Sequence, residues 1–164
     1  MKQEKIRLLF VCLGNICRSP SAEGIMKKIV KDAGLEKQIE IDSAGILDYH
    51  QGEMADPRMR KHASKRGYVL ESVSRPVRMN DFYDFDMIIG MDDKNVADLK
   101  GKAPDQESVS KIHQMTEFSR TKVIDHVPDP YFGGAEGFEQ VLDILEDACA
   151  GLLDYVSIHY GINH

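Results

Sequence analysis

The chain has no tryptophan, only three cysteines and no apolar run of membrane-spanning length. Each shortage excludes something. Three cysteines cannot build a framework of several disulfides, and no charged-then-apolar leader opens the chain, so the expected compartment is the cytoplasm with thiols reduced. Apolar runs far short of the roughly 20 residues that cross a bilayer predict no membrane partner. Positive charge is also in deficit. The 21 Lys and Arg stand against 27 Asp and Glu, a net charge of −6, which argues against nucleic acid or anionic lipid as a partner. The six histidines, at 50, 62, 113, 126, 159 and 164, lack metal-ligand spacing, and Cys12 and Cys17 are not a CxxC pair, so no metal or other cofactor is expected. Glycine and proline, at 13 and 6 residues, are too few for a disordered or collagen-like chain. With 164 residues and 42% hydrophobic content, the expectation is one domain with one core over residues 1–164.

What is there alternates strand and helix. Residues 6–12, IRLLFVC, form a nearly unbroken apolar run, the pattern of a central parallel strand covered on both faces. A short loop follows, and Ser19-Pro20 reads as an N-cap and first helical residue. Ala22, Ile25, Met26, Ile29, Val30 and Ala33 then trace one buried helical face. Residues 38–44 read as a second strand, 45–55 as a polar loop, and Asp56-Pro57 as the start of a basic helix over 58–66, ended by Gly67. Residues 86–91, DMIIGM, predict a third strand running into Asp92-Asp93 and a short helix, and residues 122–126 a fourth. A turn-rich loop over 128–134 leads to a long amphipathic helix through Phe138, Val141, Leu142, Leu145, Ala148, Leu152 and Val156. The expected fold is a doubly wound α/β domain with a mainly parallel four-stranded sheet and helices on both faces, its ligands beyond the carboxyl ends of the strands.

The first such end is Cys12. Cys12 and Arg18 bracket a loop between a buried strand and a helix N-terminus, an arrangement suited to a tetrahedral oxyanion. Backbone N–H groups converge there, the helix dipole adds positive charge, and an arginine grips two phosphate oxygens at once. The same field favours the thiolate of a cysteine placed there, a nucleophile for phosphorus. Taken alone, Cys12 reads equally well as an inert buried thiol, Arg18 as a surface residue, Asp129 as a turn former and Tyr49 as a packing residue.

The whole string Val11-Cys12-Leu13-Gly14-Asn15-Ile16-Cys17-Arg18-Ser19-Pro20 resembles the phosphate-binding loop of the low-molecular-weight protein tyrosine phosphatases, and Asp129-Pro130-Tyr131 resembles that family's general-acid loop. Asp42-Ser43-Ala44-Gly45, Asp56-Pro57-Arg58 and Met91-Asp92 resemble further segments. The resemblance implies a flavodoxin-like phosphatase fold and hydrolysis of phosphotyrosine in proteins or of small aryl phosphates, with inorganic phosphate as product. It implies Cys12 as nucleophile, Arg18 as phosphate ligand, Ser19 as hydrogen-bond partner of the Cys12 sulfur and Asp129 as general acid and then base. Leu13, Gly14, Asn15, Ile16 and Cys17 would cradle the phosphate, Tyr49 and Tyr131 would flank the aryl ring, and Ser43 would support Asn15. It further implies a reversible disulfide between Cys12 and Cys17.

Two departures stand out. Ser72 occupies a position where many members carry a histidine that supports the loop asparagine, so Ser72 is expected to give that support with a shorter reach, and Phe132 replaces a second tyrosine after the acid loop. Rival readings are a protein-arginine phosphatase, which resembles a version with threonine in place of Ile16, and a thioredoxin-coupled arsenate reductase, which needs mid-chain cysteines absent from residues 60–110. A phosphocysteine carrier and a silent phosphotyrosine-binding module are the others, and neither needs Arg18 together with Asp129.

Overall fold

Strand β1 (Ile6–Cys12) lies inside a four-stranded sheet, which is why it is apolar without a break from Leu8 onward: Leu8, Leu9, Phe10 and Val11 are all fully buried. The computed structural model of the protein describes residues 5–131 and 133–162, so the readings for Phe132 and His164 fall outside it. β1 pairs in parallel with β2 (Ile39–Gly45) on one side and β3 (Met87–Gly90) on the other, and β3 pairs in parallel with β4 (Ile112–Gln114). The sheet order is β2-β1-β3-β4. Every pair is parallel, as α/β alternation requires.

Alternate residues of each strand enter separate cores. Leu8, Phe10, Ile41 and Ile89 pack under α1 (Arg18–Asp32), α2 (Pro57–Lys65) and the 25-residue α6 (Ala135–His159), through Ile25, Met26, Met59, Val141, Leu145 and Leu152. Leu9, Val11 and Ile88 meet Phe82 of α3 (Asp81–Asp84), Phe85 and Leu99 of α4 (Asp93–Lys102). Burying each large apolar side chain contributes about 1.5–3 kcal/mol, so the two clusters together fix the strand register. A short α5 (Gln106–Ser110) precedes β4, and one 3-10 turn (Met115–Phe118) follows it.

Two expectations are corrected. Helix α1 begins at Arg18, with Cys17 at the N-cap and no side-chain cap bond, two residues before the predicted first helical position. Pro20 is tolerated as the third helical residue because the first-turn N–H groups have no intrahelical partner in any case. Residues 122–126 are not a strand, and the fourth strand is Ile112–Gln114. β4 is a three-residue edge strand with one buried apolar residue, too little for a periodic signal. The 120–126 segment is instead an extended strap, with its N–H groups at Arg120, Thr121 and Lys122 donating to the Asp147 carboxylate. Its Asp125 carbonyl accepts from Gln114 Nε2 and Thr116 Oγ1.

β1 connects to β2 on one side of the sheet while the chain later enters β3 on the other, so the crevice beyond the carboxyl ends of β1 and β3 is the topological switch point. Cys12 ends β1, and Met91-Asp92 follow β3.

Candidate active site

The segment from Leu13 to Cys17 turns the chain from β1 into α1, and Asn15 takes a left-handed conformation (φ 58°) to do so. Asparagine tolerates this region better than most residues, and here its side chain is also fully engaged. Asn15 Nδ2 donates to Ser19 Oγ at 2.7 Å and to Ser43 Oγ at 3.0 Å, while its Oδ1 accepts from the Arg75 N–H at 3.1 Å. Ser74 Oγ donates to the Gly14 carbonyl. The loop lies so close to the end of β2 that a Cβ on Gly45 would sit 3.0–3.1 Å from Leu47 O, Asn15 Cβ and Leu13 O. Only glycine fits there without displacing the loop.

Inside it, the Cys12 sulfur lies 3.0 Å from Ser19 Oγ and accepts from the Ser19 N–H at 3.4 Å. Arg18, 3% exposed, is the first residue of α1, where its charge opposes the helix dipole. Its Nη1 donates to Asp92 Oδ2 at 2.7 Å and to the Val127 carbonyl at 3.1 Å, and its Nη2 is 3.8 Å from Asp129 Oδ2. Burial works against the Arg18 charge, but Cys12, Asp92 and Asp129 outweigh it and raise its pKa. For Asp92, burial disfavours the carboxylate, yet the Arg18 bond, the Asn95 N–H and the Arg18 charge hold its pKa below the usual range. Burial first, then Asp56, Cys12 and Asp129, push the Cys17 thiol far up, and burial does the same to Cys149 on α6. Both stay protonated thiols across the physiological range.

Asp129 is anchored from both sides. Upstream, buried Val127 donates its N–H to the Met91 carbonyl at the end of β3. Downstream, Arg58 Nη2 donates to the Tyr131 carbonyl at 3.0 Å while its guanidinium stands over the rings of Tyr131 (5.4 Å) and Phe138 (4.9 Å). Asp56 holds Arg58 through two bonds, at 3.1 and 2.9 Å. Between them Asp129 Oδ1 accepts from the Tyr131 N–H, leaving Oδ2 turned toward Arg18.

Cys12, Leu13, Gly14, Ile16, Cys17, Arg18, Leu47, Tyr49, His50, Asp129 and Tyr131 line one cavity of about 340 Å³. Asn15 stands behind it as a brace. The aromatic walls differ from expectation in one respect. His50 lies between the two tyrosines, 4.8 Å from the Tyr49 ring and 6.2 Å from the Tyr131 ring, with its Nδ1 held by Glu53 Oε2 at 3.0 Å. Tyr49 is 81% exposed at the rim, and Tyr131 is 37% exposed.

Ser72 is also placed differently. The Arg75 N–H takes the position beneath Asn15 Oδ1, and Ser72 lines a small cleft with Pro20, Glu23, Gly24 and Leu70. Sequence reading missed Asp92 as the partner of Arg18, Leu47 as a pocket wall, and Glu23 as the acceptor for Ser43 Oγ at 2.6 Å. The signal for Glu23 was its spacing: Ser19, Glu23 and Lys27 fall four apart on one helical stripe. Among the described residues no group of three or more His, Cys, Asp or Glu is placed to hold a metal ion.

A family model described as low molecular weight phosphotyrosine protein phosphatase matches residues 7–159. The chain belongs to this family. It is therefore an enzyme of the protein-tyrosine-phosphatase class, a hydrolase. It is 39% identical over 150 residues to a low molecular weight protein-tyrosine-phosphatase of Streptomyces coelicolor, covering 90% of this chain and 91% of that one. Its fold matches a crystal structure of a protein tyrosine phosphatase from Entamoeba histolytica with a TM-score of 0.91 and 47% identity, over 96% of this chain and 99% of that chain. A Drosophila arginine phosphatase is similar in structure at 31% identity, with a TM-score of 0.86 over 92% of this chain and 97% of that chain. Among the described residues no helix of this phosphatase is long and apolar enough to cross a membrane.

Proposed function

We propose that this phosphatase hydrolyses phosphotyrosine in proteins, and small aryl phosphates, through a phosphocysteine intermediate. The supporting observation is that Cys12 Sγ, the Arg18 guanidinium and the Asp129 carboxyl converge on one cavity with aromatic walls. In the first step the Cys12 thiolate attacks phosphorus and the aryl oxygen leaves, taking a proton from the Asp129 carboxylic acid. Phenolate is a poor leaving group at neutral pH, and a placed acid contributes about 10²–10⁴-fold. In the second step Asp129, now a carboxylate, takes a proton from water as that water attacks phosphorus, the S–P bond breaks, and inorganic phosphate departs. Ser19, through its hydroxyl and N–H, stabilises the sulfur as it leaves. Arg18 and the N–H groups from Leu13 to Cys17 balance the charge of the equatorial oxygens, so the scheme calls on no metal or cofactor.

The walls support an aryl ester. A planar ring enters the cavity beside His50 and Tyr131, with Leu47 and Tyr49 at the rim, whereas a phosphoserine on a short side chain would not bring phosphorus down to Cys12. Buried Ile16 offers no hydroxyl to a guanidinium, which favours phosphotyrosine over phosphoarginine. A thiol nucleophile, with three free cysteines, suits the reducing cytoplasm.

The test is phosphate release from phosphotyrosine and phosphoarginine peptides by reduced protein with chelator present, beside Cys12→Ser. Faster release from phosphotyrosine, abolished in the variant, is the expected result. Preference for phosphoarginine would overturn the substrate assignment, and turnover surviving in Cys12→Ser would overturn the mechanism.

A further inference from the structure

The acid loop is tied to a joint between two helices that lies outside the catalytic cavity. Asp129 Oδ1 accepts from the Tyr131 N–H, so the direction of the carboxyl follows the Tyr131 backbone. Arg58 on α2 holds Tyr131 twice, through its carbonyl at 3.0 Å and through its ring at 5.4 Å. The same guanidinium stands over the ring of Phe138, in the first turn of α6, at 4.9 Å. One turn further along α2, the His62 imidazole stacks on that ring at 5.4 Å with 10° between the planes. We propose that Phe138, gripped by Arg58 and His62, is a positioning residue for Asp129: it seats α2 on α6 at the point from which Arg58 carries the acid loop, a role that rests on the reading of Asp129 as general acid given above.

Asp56 does not do this by itself. It binds Nε and Nη2 of Arg58 from only two residues away, so the pair moves as one with the start of α2 and leaves its place relative to the acid loop open. Phe138 supplies the missing reference. It is 1% exposed on the helix that follows the acid loop in the chain, and Arg58 and His62, four residues apart on α2, meet it from one helical face. His62 is fixed in turn, because its Nδ1 lies 2.5 Å from Oε2 of Glu139, the residue next to Phe138. The acid loop touches the same turn of α6 directly. A Cβ on Gly137 would lie 3.6 Å from Pro130 Cβ, ordinary contact distance between the loop and the helix.

The consequence falls on one chemical step. A general acid works within about 2.6–3.2 Å of the oxygen it protonates, so a loop displaced by a fraction of that distance stops donating. Cys12 and Arg18 do not depend on the joint, since Ser19 holds the sulfur while Asp92 and the Val127 carbonyl hold the guanidinium. An ester whose leaving group needs a proton feels the loss of Phe138, and one that departs unaided does not.

The experiment measures kcat/KM for phenyl phosphate and for a dinitrophenyl phosphate with Phe138→Leu, His62→Ala and His62→Phe, each also combined with Asp129→Asn, and thermal melting shows which variants fold. Phe138→Leu keeps an apolar side chain and removes the ring face. Losing the cation–π contact of a half-exposed arginine predicts phenyl phosphate slowed by about two- to fivefold, with dinitrophenyl phosphate unchanged. His62→Ala should slow phenyl phosphate in the same sense, and His62→Phe, which keeps a flat ring against Phe138, should restore it. Combined with Asp129→Asn, none of the three should slow phenyl phosphate further. Equal slowing of both esters, a Phe138→Leu loss that persists without the acid, or a folded Phe138→Leu at the wild-type rate on phenyl phosphate overturns the proposal. If Phe138→Leu does not fold, the two His62 variants decide: a loss confined to phenyl phosphate in His62→Ala and restored in His62→Phe supports it, and any other pattern overturns it. Asp129→Asn slowing both esters equally overturns the acid reading and the proposal with it, whereas an indifferent Phe138→Leu beside an Asp129→Asn loss confined to phenyl phosphate overturns the proposal alone.

Discussion

Replacing Arg18 by lysine keeps the charge and removes the fork. A guanidinium has five N–H donors, and in this structure the two on Nη1 are committed, one to Asp92 Oδ2 at 2.7 Å and one to the Val127 carbonyl at 3.1 Å. Three remain, on Nη2 and Nε, the pair of nitrogens that grips two phosphate oxygens side by side. A lysine ammonium has three donors at a single point, and satisfying Asp92 and Val127 leaves one. Two charge-assisted bonds to the transition state therefore become one, a loss of about 1.5–3 kcal/mol. At 1.36 kcal/mol per factor of ten, kcat/KM for an aryl phosphate should fall about 10- to 150-fold. The assay is steady-state hydrolysis by wild type and Arg18→Lys, with thermal melting to show that the variant is folded. Because Asp92 keeps a cationic partner, the melting temperature should change little. A folded Arg18→Lys protein within about twofold of wild type in kcat/KM would refute the donor count, since it would mean that one point charge does the work of the fork.

Three further outcomes follow from the same geometry. Asp129→Asn should slow phenyl phosphate by about 10²–10⁴-fold but a dinitrophenyl phosphate far less, because a good leaving group needs no acid; equal slowing across a leaving-group series would exclude the role given to Asp129. In Gly151→Ala the new Cβ would lie 1.8 Å from the Phe118 carbonyl oxygen, so α6 must move off the 3-10 turn, and denaturant unfolding should show a loss of about 1–3 kcal/mol or more. On acidification the sign is set by Asp56 and Asp92, whose pKa values are depressed once their bonds to Arg58 and Arg18 have overcome the effect of burial. Their stabilisation is present above the ordinary carboxylate range and is lost as pH falls through the depressed folded values. The melting temperature should therefore drop below about pH 4, and Asp92→Asn should flatten that drop.

Most of the architecture was legible because its signals are local. The apolar run at residues 6–12, the 3.6-residue stripe from Ala22 to Ala33 and the Asp56-Pro57 start each reflect contacts that a strand or helix makes with whatever covers it. β4 was not legible, since a three-residue edge strand carries one buried apolar side chain and its pairing with β3 is decided by distant chain. The strap at 120–126 misled for the converse reason. Its Val123 is fully exposed, and the segment is held by Asp147 on α6 and by Gln114, partners remote in sequence.

The site divides along the same line. Cys12, Arg18 and Ser19 share one short loop whose whole string, with Asp129-Pro130-Tyr131, carries the family resemblance, so the sequence by itself determined the family, the reaction class and the immediate neighbours of Cys12. Only the tertiary structure decided that Asp92 holds Arg18, that His50 stands between Tyr49 and Tyr131, and that the Arg75 N–H, with Ser72 elsewhere, braces Asn15. The physical reason is that these partners are 60 or more residues from the groups they serve apart from the local Tyr49 to His50 step, and a contact at such separation leaves no periodicity in the chain. It exists because parallel strands β1, β2 and β3 deliver their carboxyl ends, and the loops beyond them, to one crevice.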